Sequence, residues 1–188
     1  MLDALGRERN GDWIQTFTGK QIFPADPVLN VYDIVDIAAA LSKLTRYNGH
    51  CLHFYSVAEH CVLMARKARS MYLPQATCRA MLLHDASEAY LIDVPRPVKP
   101  LLGGYLEIEA AIMHEIAGRF GFAWPLEPMV KAYDTNILND EMMQAMAPPP
   151  SPWRHGGDCL GVTLQYWTPD LAFAEFMREA SLCGACSS

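Results

Sequence analysis

Two imidazoles and two carboxylates, His60, His84, Asp85 and Asp134, are the residues of this chain best suited to hold a cation. His84 and Asp85 are adjacent, whereas His60 and Asp134 lie far away in sequence, in other apolar-patterned stretches. The four can meet only through tertiary packing. A mixed nitrogen and oxygen donor set of this kind suits one divalent transition metal, Co, Mn, Zn or Fe. Four protein ligands leave room on a five- or six-coordinate ion for water and a phosphate oxygen. Such an ion lowers the pKa of water and polarises a phosphoryl group.

A histidine inside an apolar helix is more often a hydrogen-bonded core residue than a ligand. The His84-Asp85 pair argues otherwise, because it follows Ala80-Met81-Leu82-Leu83 directly. Two adjacent polar groups buried there without partners would cost several kcal/mol. Glu88 is four residues beyond His84, which puts it on the same face of a continuous helix. An acid at that distance suits proton transfer better than a further metal bond. Two carboxylates already neutralise a divalent ion, so a phosphate would need more positive charge. Arg46, Arg96 and Lys99 are the nearest cations in sequence. Tyr47, Trp13 and Phe17 are aromatics able to stack on a base, although packing is the commoner use of such residues.

The elements that must position these groups read as helices. Ile34, Ile37, Ala38 and Leu41 recur at helical spacing from Asp33 onward, and Asn48-Gly49 interrupts the pattern. Ser56-Val57-Ala58-Glu59 reads as a capping box that opens a second helix, with Val57, Cys61, Met64, Ala65 and Ala68 on its core side and His60 one turn in. A third helix is expected from Gln75 to Tyr90, ahead of Pro95, Pro97 and Pro100. A fourth is expected over Tyr105–Phe120, stopped by Gly121, with Leu106, Glu109, Ile112, Met113 and Ile116 in register. A fifth is expected over Pro128–Met146. A Pro- and Gly-rich loop follows over Ala147–Asp158, and Thr168-Pro169 opens the last helix, with Ala172, Phe173 and Phe176 turned inward. Before all of these, Thr18-Gly19, Pro24 and Pro27 predict a small hairpin or irregular arm. The expectation is therefore an all-α fold: an arm over 1–32 packed on the domain, a helical domain over 33–182 and a flexible tail over 183–188.

With these elements in place, three local words gain meaning. Ser56-Val57-Ala58-Glu59-His60, His84-Asp85-Ala86-Ser87-Glu88 and Asp93-Val94-Pro95-Arg96-Pro97-Val98-Lys99 occur in order, with Asp134 after them. The order resembles the H…HD…D signature of the HD-domain metal-dependent phosphohydrolases, and the words are similar to those of bacterial 5′-deoxynucleotidases and the related viral dATP triphosphohydrolases. The resemblance covers about 33–146. It implies a compact HD-domain helical bundle with His60, His84, Asp85 and Asp134 as metal ligands. It also implies that Glu88 assists the attacking water and that Asp93 joins it in catalysis at the nucleoside end. Val94, Pro95, Arg96 and Lys99 would contact substrate. Arg46 would match an arginine upstream of the first histidine, one residue closer here. Tyr47 stands where those enzymes have Trp, and Ile92 where Gly is expected.

The same resemblance frames the alternatives. A dinuclear HD oxygenase would want extra histidines between Asp85 and Asp134. Of His50, His53, His114 and His155, only His114 lies there, which favours one metal. An alarmone hydrolase would carry Glu-Asp after its His-Asp, whereas Ala89 follows Glu88. A non-catalytic nucleotide- or protein-binding module would be expected to lose ligands, and all four are present. A phosphodiesterase remains a rival.

Composition bounds the partners. The chain has 188 residues, 51% hydrophobic and 19% charged, enough for one packed domain. Its 15 basic and 21 acidic side chains give a formal charge of −6, the wrong sign for coating long nucleic acid. A small deoxynucleotide is the expected substrate, as mono- or triphosphate. Met1 to Gly11 is polar, without a leader-like apolar run, and no stretch is long enough to span a bilayer. Six irregularly spaced cysteines suit free thiols in a reducing, cytoplasmic setting. Cys183-Gly-Ala-Cys186 has the spacing of a redox or zinc half-site, but a frayed tail is the expected reading. By analogy with related enzymes, a homodimer or larger homo-oligomer is expected.

Overall fold

The computed structural model describes residues 1–154 and 156–186. The fold is predominantly α-helical. Its helices are α1 (Ile34–Leu41), α2 (Val57–Ser70), α3 (Gln75–Leu83), α4 (Glu88–Leu91), α5 (Tyr105–Phe120), α6 (Pro128–Ala145) and α7 (Pro169–Leu182). Two short strands, β1 (Ile14–Gln15) and β2 (Gln21–Ile22), pair antiparallel with Ile14 opposite Ile22. The Thr18-Gly19 turn closes this hairpin, so a purely all-α description is amended by one small ladder.

Helix α2 lies at the centre. Every residue from Val57 to Ala65 is buried. It packs against α3 and α7, and α6 touches it from another side. Its start follows the predicted chemistry in part: the Ser56 hydroxyl accepts the Glu59 N–H at 3.1 Å. The other half of the box is spent elsewhere. The Glu59 carboxylate accepts the backbone N–H groups of Gln165, Tyr166 and Trp167 at 2.6, 3.0 and 2.8 Å. Asp33 caps α1 by accepting the Val35 N–H, and Thr168 caps α7 ahead of Pro169. Gly121 ends α5 in the left-handed region, φ 70°.

Two expectations are corrected here. The helix predicted over Gln75–Tyr90 breaks after Leu83, and residues 84–87 form a turn before α4. The break falls on the polar pair: His84 turns its Nδ1 back to the Met81 carbonyl at 2.9 Å. The expected tail is also partly core. Cys183 and Ala185 are buried, and Ala185 N–H donates to the Ala180 carbonyl at 2.8 Å. Apolar side chains on both sides of Gly184 hold this turn down; Ser187 and Ser188 lie outside the described residues.

In α5 the inward face is Ile112, Met113 and Ile116, while Leu106 is exposed. The arm is bound to the body by Ile22, which is fully buried in the core, and by Thr18 and Lys20, which donate to Asp36 and Asp33; Arg9, donating to Asp26 and Asn30, ties the arm to itself. The loop after α6 is tied to its helix. Asp140 accepts the N–H groups of Leu160, Gly161 and Val162, and the Gln144 side chain bonds Val162 and Leu164. Among the described residues, no helix is long and apolar enough to cross a membrane.

Candidate metal centre

The structure brings the four sequence-predicted ligands into two overlapping sets that share His84: His60, His84 and Asp134 in one, and Cys61, His84 and Asp85 in the other. His60 comes from the first turn of α2, His84 and Asp85 from the break after α3, and Asp134 from α6. The Nε2 atoms of His60 and His84 stand 3.2 Å apart. Asp85 Oδ2 is 3.1 Å from His84 Nε2 and 3.8 Å from His60 Nε2. Asp134 Oδ1 is 3.5 Å from His60 Nε2 and 3.8 Å from His84 Nε2.

The hydrogen bonds on the far side of each ring explain the orientation. His60 Nδ1 meets Glu141 Oε1 at 2.7 Å, and His84 Nδ1 meets the Met81 carbonyl. Each Nδ1 therefore carries the proton that it donates to an oxygen, and a neutral ring then presents a lone pair at Nε2. Two such lone pairs facing each other repel unless positive charge lies between them. Donors that share one ion at about 2.0–2.2 Å stand about 3.0–3.5 Å apart. The separations His60–His84, His84–Asp85 and His60–Asp134 fall in that interval, so the His60, His84 and Asp134 set, with Asp85 beside His84, fits a divalent cation.

The surrounding charge points the same way. Burial opposes ionisation of Asp85 and Asp134. The facing imidazoles outweigh it and hold both carboxyls below their usual range. Burial also opposes charge on His84, and Asp85 pushes its pKa well above the ordinary value instead. The cluster demands positive charge, as a proton or a metal ion. Cys61 is also near, with Sγ 3.9 Å from His84 Nδ1. Burial raises its thiol to about 11, and its Sγ stands with His84 and Asp85 as a second set of possible ligands.

Arg46 is 8% exposed and lies beside the ligands. Its Nη1 is 3.7 Å from Asp85 Oδ2, its Nη2 donates to Glu141 Oε2 at 3.1 Å, and its Nε has no partner among the described residues. Tyr47 donates its hydroxyl to Glu141 and packs on Trp153, with ring centroids 5.7 Å apart. Glu88 is 4% exposed; its Oε1 is 3.6 Å from Lys99 Nζ and its Oε2 has no partner among the described residues. Burial, with Asp85 and Asp93 nearby, pushes its carboxyl far up. Burial raises Asp93 as well.

A cavity of about 460 Å³ opens over the cluster. It is walled by His84, Asp85 and Asp134, by Arg96, Lys99 and Lys131, and by apolar Met113, Trp124 and Leu126. Arg96 Nη2 reaches Asp134 Oδ2 at 3.4 Å, and Lys99 is paired with Glu109 at 2.7 Å. Asp93, Val94 and Pro95 are half-buried and do not line the cavity; the Pro95 carbonyl accepts the Lys99 N–H at 3.2 Å and fixes the turn that presents it. Phe17 packs on Phe173 and under Lys43, and His53 packs on Tyr166, away from the ligands. His114 is exposed beside a second cavity, and His155 lies outside the described residues.

Sequence reasoning missed Glu141 and Lys131. Glu141 is seven residues after Asp134 in α6, two turns along the same face. That spacing was available, but only the position of His60 in space gives it meaning.

No family model matches the chain. It is 33% identical over 132 residues to an uncharacterized protein of Rhodobacter capsulatus, an alignment spanning 65% of this chain and 67% of that protein. It is 40% identical over 131 residues to the uncharacterized protein YfdR of Escherichia coli, spanning 69% of this chain and 70% of that protein. At that identity and coverage, the chain belongs to the family of YfdR.

Proposed function

We propose that this protein is a metal-dependent phosphohydrolase acting on deoxynucleotide phosphates, built on an HD-type helical bundle. The observation that carries the reading is the convergence of His60 and His84 Nε2 at 3.2 Å between the carboxylates of Asp85 and Asp134. The order of these residues and their neighbouring words resembles the HD-domain phosphohydrolases. A divalent cation held there would supply Lewis acidity to a phosphoryl oxygen and acidify a water.

The chain's own residues do the rest. Arg96, Lys99 and Lys131 line one side of the cavity and offset charge on phosphate. Arg46 has a spare guanidinium edge beside Asp85. Met113, Trp124 and Leu126 form an apolar wall that suits the organic part of the ester. Glu88, whose carboxyl is pushed well above its ordinary range by burial, moves a proton at its Oε2.

The test supplies dAMP and dATP separately with Mn²⁺ or Co²⁺ and identifies the inorganic product. Release of phosphate from dAMP makes the protein a 5′-deoxynucleotidase, and triphosphate from dATP makes it a triphosphohydrolase. No product from either, with metal bound, refutes the proposal.

A further inference from the structure

Glu141 is fully buried, and both of its oxygens are saturated. Oε1 takes His60 Nδ1 at 2.7 Å and the Tyr55 hydroxyl at 2.8 Å. Oε2 takes Arg46 Nη2 at 3.1 Å and the Tyr47 hydroxyl. An ionised carboxylate offers about four acceptor sites, so none is left over. The two oxygens face different machinery. One fixes the ring of a metal ligand; the other fixes Arg46 and Tyr47. Arg46 closes the circuit, because its other terminal nitrogen lies 3.7 Å from Asp85 Oδ2.

We infer that Glu141 is a positioning residue that sets cation affinity and anion affinity together. It holds His60 with Nε2 aimed at the ion, and it holds Arg46 so that the free edge of the guanidinium faces the ligand Asp85. A cation that offsets the Asp85 charge would weaken the pull of that carboxylate on Arg46, and Glu141 then keeps the arginine in place for an incoming phosphate oxygen. Loss of the Glu141 charge leaves Arg46 buried with one carboxylate instead of two, and Arg46 turns toward Asp85. Both binding events then suffer from one substitution that touches neither ligand.

The inference rests on the metal-centre reading, but its test does not use turnover. Co²⁺ affinity is measured by visible absorption, and inorganic phosphate affinity of the Co²⁺-saturated protein by calorimetry, for wild type, Glu141→Gln and Glu141→Asp. Glu141→Gln is expected to weaken Co²⁺ by 10- to 100-fold, the usual scale for loss of a group that orients a metal ligand. It is also expected to weaken phosphate by about tenfold, the loss of one charge-assisted contact. Glu141→Asp keeps the charge, should recover part of both affinities, and carries the test if the glutamine variant does not fold. Native affinities in a folded variant, or a loss confined to Co²⁺, overturn the inference. A wild type that binds Co²⁺ and phosphate yet hydrolyses no nucleotide defeats the hydrolase proposal and leaves this one standing. A wild type that binds no Co²⁺ defeats both.

Discussion

Replacing Glu88 with Gln separates proton transfer from metal binding. The side chain is 4% exposed, its Oε1 is beyond hydrogen-bond length from Lys99 Nζ at 3.6 Å, and its Oε2 has no partner among the described residues. One carboxyl oxygen is thus uncommitted in the folded protein, although an unsatisfied buried acceptor costs about 1–3 kcal/mol. Glutamine keeps the volume and removes the transferable proton. Loss of a positioned acid or base lowers rate by about 10²–10⁴-fold. At 1.36 kcal/mol per decade, that is about 3–5 kcal/mol of transition-state stabilisation. Because a neutral amide replaces a buried carboxyl, stability should move by no more than about 1 kcal/mol. Single-turnover hydrolysis at saturating Mn²⁺, with metal content measured on the same sample, reads both effects. A rate within twofold of wild type with metal bound refutes the assignment. Loss of metal would make Glu88 a support of the ligands instead.

Other expectations follow from packing. Glu59→Ala removes the acceptor of three backbone N–H groups in the loop at 165–167 and should destabilise the fold by about 3–5 kcal/mol in urea unfolding; a loss under 1 kcal/mol would contradict the anchoring role. Ile92 sits at φ 69°, ψ 153°, a region almost reserved for glycine, with 59% of its surface exposed. Relief of about 1–3 kcal/mol of strain, less about 0.5–1 kcal/mol of glycine entropy, makes Ile92→Gly stabilising, and a lower urea midpoint would contradict it. Alkylation with iodoacetamide at pH 8 should label the exposed Cys159 and Cys186 first. Burial raises Cys61 to about 11 and Cys183 to about 12, so both should react only on unfolding; labelling of Cys183 as fast as Cys186 would show that the C-terminal turn is not packed.

The helices were legible where an apolar face and a cap coincide. Ser56, Thr168 and Gly121 end or open helices as their types require, and the ligand residues could be picked because His84 and Asp85 interrupt an apolar run. The break of the third helix was not legible, since Gln75 to Tyr90 contains neither Gly nor Pro. The turn forms because a local bond to the Met81 carbonyl and tertiary partners at His60 and Asp134 hold the polar pair away from helical continuation. Glu59 read as a cap partner, and only the returning loop at 165–167 shows its other use. Ile92 was noticed as a residue in a glycine position, and its backbone angles supply the reason. Glu141 and Lys131 were missed because their meaning depends on which helix faces α6, which no local pattern states.

The central claim is that His60, His84, Asp85 and Asp134 hold one cation. Crystals of the protein grown with Mn²⁺ and measured at a wavelength where manganese scatters anomalously test it directly. The account predicts one strong peak about 2.0–2.3 Å from both histidine Nε2 atoms and from an oxygen of each carboxylate, and its loss in Asp85→Ala. A peak elsewhere, or none at saturating Mn²⁺, would contradict it.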